Sequence, residues 1–279
     1  MFPVLFSIGS FHFFSISFAI VIAWLIFSFL FWRHLRSNGI SEDKIFDCTF
    51  YATIWAFILG RGLYVALHWD LFADSWLQII AIWTQPGFSL YGAMLGALIS
   101  GISLSRSLKI RLGHVLDAFA LSFPGALILG LFGVFLDGSV PGKVSSLPWA
   151  LPVVGLAQRR HPVALYEIIV LIALIVYVFI YHSKTQASKR PYGLTGIIFF
   201  IWYSFIMFLL EFLKDTRVYW ISLSANQWIL IAVFAEAMGA FYVRGGGREA
   251  VRPYINAIQT KVHSFVGGIY AKFSKRTAQ

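Results

Sequence analysis

The chain has 279 residues, of which 59% are hydrophobic and only 12% charged. Soluble domains carry about a quarter charged residues, so this composition excludes an ordinary soluble domain and points to a protein embedded in a membrane. Cys48 is the one cysteine, which rules out an internal disulfide.

In chain order, residues 13–32 are almost wholly apolar and end at Arg33. With no basic residue before it, this run reads as an anchor and not as a cleaved signal peptide. A second run covers 47–68, interrupted by Gly60, Arg61 and Gly62. The aromatic stretch Trp69 to Trp83 looks interfacial. Residues 88–104 carry Gly92, Gly96 and Ser100 at four-residue spacing, one helix face that lets a neighbouring helix come close. Further spans are expected at 114–136, 163–182, 192–213 and 226–243. The fold class is therefore all-α and polytopic, with about seven transmembrane helices in a membrane domain over residues 1–243. Residues 244–279 form a separate tail. After Gly245, Gly246 and Gly247, apolar residues from Val251 to Phe273 recur at three- and four-residue spacing among basic ones. That pattern predicts an amphipathic helix on an anionic leaflet.

Lysine and arginine placement sets the orientation. The loops 33–46, 105–113 and 183–191 and the tail hold sixteen of these residues; the opposite side holds Lys143, Arg159, Arg160, Lys214 and Arg217. This bias places the amino terminus outside and the carboxyl terminus in the cytoplasm. It also accounts for most of the net charge of +10, which gives no reason to invoke nucleic acid.

Charges inside spans are costly and default to functional candidates. Arg61 sits between two glycines, a position suited to an ion pair with an intramembrane acid or to a headgroup. Asp117 lies near one end of the fourth span, Glu167 opens the fifth, and Glu211 lies three residues before Lys214, close enough to pair along one helix face. The densest polar set is in the stretch Gly130 to Glu167, which includes Asp137, Lys143, Arg159, Arg160, His161 and Tyr166. The orientation makes this loop extracytoplasmic, where a membrane enzyme would meet its substrate. No metal-ligand cluster is evident.

The order of motifs resembles the bacterial prolipoprotein diacylglyceryl transferases over most of residues 6–243. The matching pieces are F-S-I-G at 6–9, L-G-R-G-L-Y-V at 59–65, F-S-L-Y-G-A-M-L-G at 88–96 and V-L-D-A-F at 115–119. They continue with a glycine-spaced segment at 130–142, R-H-P-V-A-L-Y-E at 160–167, R-P-Y-G at 190–193, E-F-L-K at 211–214 and N-Q-W-I-L at 226–230. The resemblance implies an inner-membrane enzyme without cofactor or metal. It would move the diacylglyceryl group of phosphatidylglycerol onto the lipobox cysteine thiol of a prolipoprotein signal peptide. Cationic groups must then hold the phosphate, and a thiolate must be generated.

Carried over residue by residue, the resemblance assigns Arg61, Arg160, Gly138, Gly142 and Lys214 to phosphatidylglycerol. It assigns His161, Tyr91 and Glu211 to catalysis, and Asp117, Tyr166, Glu167 and Tyr203 to support of the site. Several positions depart from the family pattern. Leu131 and Met207 stand where arginines are expected, Val134 for an asparagine, Ser139 for a glutamate and Tyr91 for a histidine. The alternative reading is a non-catalytic descendant that binds phospholipid or signal peptide. The topology has a direct check: a reporter fused after residue 146 should read extracytoplasmic, and fusions after 186 or 260 cytoplasmic. A cytoplasmic signal at 146 would reverse the assignment.

Overall fold

In a computed structural model the described residues are 2, 4–8, 11–73, 75–153, 155–188, 190–245 and 248. A short hairpin, β1 (Val4–Ile8) and β2 (Phe11–Phe14), leads into α1 (Ser15–Ser37). Helix α2 (Glu42–Leu67) follows, then a single 3-10 turn at Trp69–Leu71 and the one-turn helix α3 (Leu77–Ile80). Helices α4 (Leu90–Ser107), α5 (Leu112–Asp137), α6 (Val163–Ala187), α7 (Leu194–Glu211) and α8 (Ala225–Arg244) complete the described chain. Two further hairpins lie in the connections. They are β3 (Leu151–Pro152) with β4 (Arg159–Arg160), and β5 (Val218–Trp220) with β6 (Leu223–Ser224).

Among the described residues six helices are long and apolar enough to cross a membrane: α1, α2, α5, α6, α7 and α8. The expected seventh, at residues 88–104, is the 18-residue helix α4, which is not one of the six. The glycines and serines that suit α4 to close packing also dilute its apolar character. The aromatic stretch after α2 is not a span; Trp76, Leu77, Ile80 and Trp83 in it are well exposed. The chain divides into two compact units within α8, Met1–Ala237 and Met238–Gln279. The amphipathic pattern at 251–273 lies outside the described residues.

Helix α5 is the centre of the first unit, packed against α1, α6 and α7, while α2 pairs with α4. The small residues of α4 do what their spacing predicts. A side chain at Gly92 would strike the Leu59 backbone, and one at Gly96 would strike Trp55 and Ala56. Apolar contact cannot drive helices together in lipid, so this close fit supplies the dispersion energy that does. An aromatic stack of Phe119, Phe123, Phe199, Phe200 and Tyr203 joins α5 to α7.

Asp117 ties the same two helices by a polar bond. Its Oδ2 accepts from Gly193 N at 2.8 Å and its Oδ1 from Gly196 N at 2.9 Å. The first N–H groups of a helix have no partner within it, and a carboxylate also suits the positive end of the helix dipole. A buried aspartate on α5 therefore caps α7.

Consecutive long helices run in opposite directions, so the connections alternate between two faces. The 68–89 segment and the α5–α6 and α7–α8 connections share one face. Arg217, after α7, holds Asp70 at 3.2 Å across it. The hydrogen bond from Arg217 keeps the exposed Asp70 carboxyl below the ordinary aspartate range. Replacing Asp117 by alanine should lower the unfolding midpoint in detergent, since two buried N–H groups lose their acceptor at about 1–3 kcal/mol each. Asp117→Asn keeps one acceptor oxygen and should recover part of the loss.

Candidate functional site

The end of α7 lies beside the start of α6, because the two helices pack together and run in opposite directions. This puts Glu211, the last residue of α7, level with Glu167 in the second turn of α6. Lys214 lies three residues beyond Glu211 and reaches both. Its Nζ is 2.8 Å from Glu167 Oε1 and 3.0 Å from Glu211 Oε2. The three side chains are buried, with 11% exposure at Lys214, 6% at Glu167 and none at Glu211. Burial alone would push the Lys214 ammonium toward neutrality; the charges of Glu167 and Glu211 outweigh it and raise its pKa above the ordinary lysine value. Tyr91, from the first turn of α4, and Tyr203, from α7, lie within electrostatic reach of both carboxylates. Tyr203 also donates to Met94 Sδ at 3.6 Å.

Glu211 is held from a third direction. Its Oε1 accepts from Asn226 Nδ2 at 2.7 Å and from Ser224 Oγ at 3.3 Å. Ser224 and Gln227 bond each other's backbone N–H, at 2.9 Å and 3.2 Å, which is a capping box at the start of α8. Sequence reading missed Ser224 and Asn226 as partners of Glu211. The signal that could have found them is the S-x-x-Q spacing ahead of an apolar run.

Lys214 is fixed by backbone pairing. Residues 141–144 run between the segment after α7 and the segment before α6. Asp215 N donates to Pro141 O at 3.0 Å, Lys143 N to Leu213 O at 2.8 Å, and His161 N to Lys143 O at 3.0 Å. Isolated bridges join Gly142 to Lys214 and Val144 to Arg160. Gly142 has to be glycine in this ribbon, because a Cβ there would collide with the His161 carbonyl. Gly138 has a different requirement: it ends α5 at φ 74°, a left-handed conformation that glycine adopts without strain.

The ribbon also positions Arg160 and His161. Arg160 Nη1 donates to Gly142 O at 3.0 Å and to Asp215 Oδ2 at 2.6 Å, while its Nε is buried without a partner. Trp149 Nε1 donates to Tyr166 Oη at 2.7 Å, and His161 Nδ1 lies 3.4 Å from the same oxygen. Indole can only donate, so the Tyr166 proton is free to point at His161 Nδ1. In that arrangement a neutral His161 carries its own proton on Nε2.

The ribbon, the ion cluster and the Arg160–His161 pair thus lie on one face of the helices. A family model described as prolipoprotein diacylglyceryl transferase matches residues 3–243. The chain belongs to that family. A relative in Wolbachia sp. subsp. Brugia malayi is named phosphatidylglycerol–prolipoprotein diacylglyceryl transferase. It is 31% identical over 255 residues, which is 85% of this chain and 92% of the relative. Proteins of the same name in Finegoldia magna and Geobacter sulfurreducens are 27% identical over 201 residues and 26% over 217. They cover 71% and 76% of this chain, and 77% and 82% of the relatives. Six apolar helices and this family make the chain a multi-pass membrane protein.

Against the diacylglyceryl transferase pattern, two features of the site need separate account. Arg61 is buried, and among the described residues it meets no acid. Its Nε, Nη1 and Nη2 donate to the carbonyls of Ile79, Gly87 and Gln78 at 2.9, 2.9 and 2.8 Å. Its guanidinium also faces the rings of Tyr64, Phe72 and Phe88. These contacts hold the 78–87 segment, and none joins Arg61 to Arg160 or Glu211. The intramembrane ion pair is therefore replaced by backbone acceptors, which a chain turning at the membrane interface leaves unpaired. Leu131 and Met207, at positions where the family pattern has arginine, are 8% and 3% exposed and belong to the apolar core. They bring no cation to the site.

Lys214→Met should leave two buried carboxylates facing each other, and removing one partner of a buried pair costs about 3–5 kcal/mol. Adding Glu167→Gln should restore part of the thermal stability lost by Lys214→Met alone. Purely additive losses in this cycle would show that Lys214 and Glu167 are not coupled.

Proposed function

We propose that the chain transfers the diacylglyceryl group of phosphatidylglycerol to the lipobox cysteine thiol of prolipoproteins. The observation that carries this reading is the buried Glu167–Lys214–Glu211 cluster beside Arg160, whose Nε has no internal partner, in a chain of the diacylglyceryl transferase family. In the reaction the cysteine thiolate attacks the glyceryl carbon that bears the phosphate ester. A C–S bond forms, the C–O bond breaks, and glycerol phosphate leaves with one more negative charge than the diester carried.

Arg160 is the cation best placed for that charge. A charge-assisted bond from its unpartnered Nε becomes stronger as the leaving phosphate develops, which is the condition for lowering a barrier. Lys214 is already shared by two carboxylates, so its part is to hold Glu167 and Glu211 in register and less to bind phosphate. His161, as the tautomer that carries its proton on Nε2, suits the leaving oxygen. The thiol proton must leave before the attack, and the base assigned to it is the carboxylate of Glu211, with Tyr91 within electrostatic reach of that group. Gly138 and Gly142 shape the backbone that admits the headgroup, and Tyr166 orients His161. Arg61 serves by holding the 78–87 segment against the membrane interface. This reaction face is extracytoplasmic in the inner membrane, with the carboxyl terminus in the cytoplasm.

The test is transfer of labelled diacylglyceryl from phosphatidylglycerol to a lipobox peptide by the purified full chain. Arg160→Ala should lower the rate by about 10–100-fold, the worth of one charge-assisted bond. Arg160→Lys should recover only part, because lysine keeps the charge and loses the planar fork. A folded, phosphatidylglycerol-binding protein with no transfer would replace this reading with that of a lipid-binding descendant; Leu131 and Met207 are the observation that favours it.

A further inference from the structure

A second polar site lies at the other ends of the same helices. A cavity of about 330 Å³ opens where α1 and α6 end and α5 and α7 begin. His182, in its wall, is separated from Glu167 along α6 by roughly 22 Å of helical rise. The proposed transfer reaction does not use this cavity.

The chemistry of the wall follows from which hydrogens are already engaged. Ser37 Oγ and Asn38 Nδ2 both donate to His34 O, at 2.8 and 2.7 Å. What they keep for the cavity is the lone pairs of Ser37, and the amide oxygen and second N–H of Asn38. His34 Nδ1 is 2.7 Å from Leu30 O. A carbonyl only accepts, so Nδ1 carries the proton and neutral His34 offers a lone pair on Nε2. Asp117 accepts one N–H on each oxygen and keeps further lone pairs. His114 Nδ1 is buried with no partner. Among the described residues no lysine or arginine lines the cavity, and Asp117 is the one formal charge among them.

The wall thus mixes acceptors with the neutral donors of Asn38, Gln186 and Tyr192, and its one formal charge is negative, which disfavours an anion. Among the described residues no set of His, Cys, Asp or Glu converges tightly enough to hold a metal ion. The ligand that fits is a cation with several N–H donors. We propose that the cavity binds a primary ammonium group, carried by a phospholipid headgroup or by a small alkylammonium in solution. Arg111, just before α5, is exposed and lies within electrostatic reach of His114. It can face the phosphate that a zwitterionic headgroup places next to its amine.

Choline tests the idea, because its quaternary nitrogen has the charge but no N–H. The full chain in nanodiscs should retain phosphatidylethanolamine about tenfold better than phosphatidylcholine, a factor set by lost charge-assisted donors. Gln186 lines the cavity and is exposed, so Gln186→Lys should fold normally and place its own ammonium over the acceptors. That variant should abolish the preference. His34→Phe, with its melting temperature checked beside it, should reduce it. Competition by free ethanolamine would assign the site to the amine alone, and its absence to the whole headgroup. Equal retention of the two lipids by the parent chain, or a preference that survives Gln186→Lys in folded protein, would overturn the proposal.

Discussion

Two carboxylates from different helices are held against one ammonium in the low-dielectric interior, and the site face is arranged around that contact. Glu167 and Glu211 would repel each other across the α6–α7 contact if Lys214 were displaced. Desolvating three charges is expensive, and only good geometry with further hydrogen bonds makes such a cluster tenable. The structure meets this condition from outside the cluster. Asn226 and Ser224 cover one oxygen of Glu211, and the ribbon of 141–144 fixes the backbone that carries Lys214. The same ribbon sets Arg160 and His161, so groups proposed for phosphate and proton handling take their positions from the requirement to place one lysine.

Two other buried charges are satisfied in a different way. Asp117 accepts from the amides at the start of α7, and Arg61 donates to three carbonyls in the segment after α2. Both neutralise partial charges of the backbone. In a membrane protein this is a natural use of an intramembrane charge. Backbone that leaves the helical path near lipid has few waters to satisfy it, and a fork-shaped donor or a two-oxygen acceptor covers several groups at once.

Much of the architecture was legible in the sequence, because a membrane span is a property of one contiguous stretch. Hydropathy marked the helices to within about five residues at each end, and the four-residue spacing of Gly92 and Gly96 announced a close helix contact without naming α2 as the partner. The Glu211–Lys214 pair was legible for the same reason, being local on one helix end. What could not be read was the partner of each charge across the fold. Glu167 and Lys214 are distant in the chain, and nothing in either neighbourhood names the other. For Arg61 an acid or a lipid headgroup could be read as partner because those are visible or implied in a sequence; backbone carbonyls belong to every residue and leave no mark. The cavity at the far ends of α1, α5, α6 and α7 was hidden likewise. Its histidines come from three different helices, α1, α5 and α6.

The cluster also has an order of assembly. Synthesis delivers Glu167 with α6, while Lys214 arrives only after α7 is complete, and Ser224 and Asn226 later still. A partly made chain therefore carries a carboxylate with no countercharge, and α6 has reason to remain loosely seated, with Glu167 drawn to water. Arrival of the segment after α7 supplies the ammonium, closes the ribbon against 141–144 and lets α6 settle. The cluster is thus completed only by the segments after α7, the last of the described connections to be made.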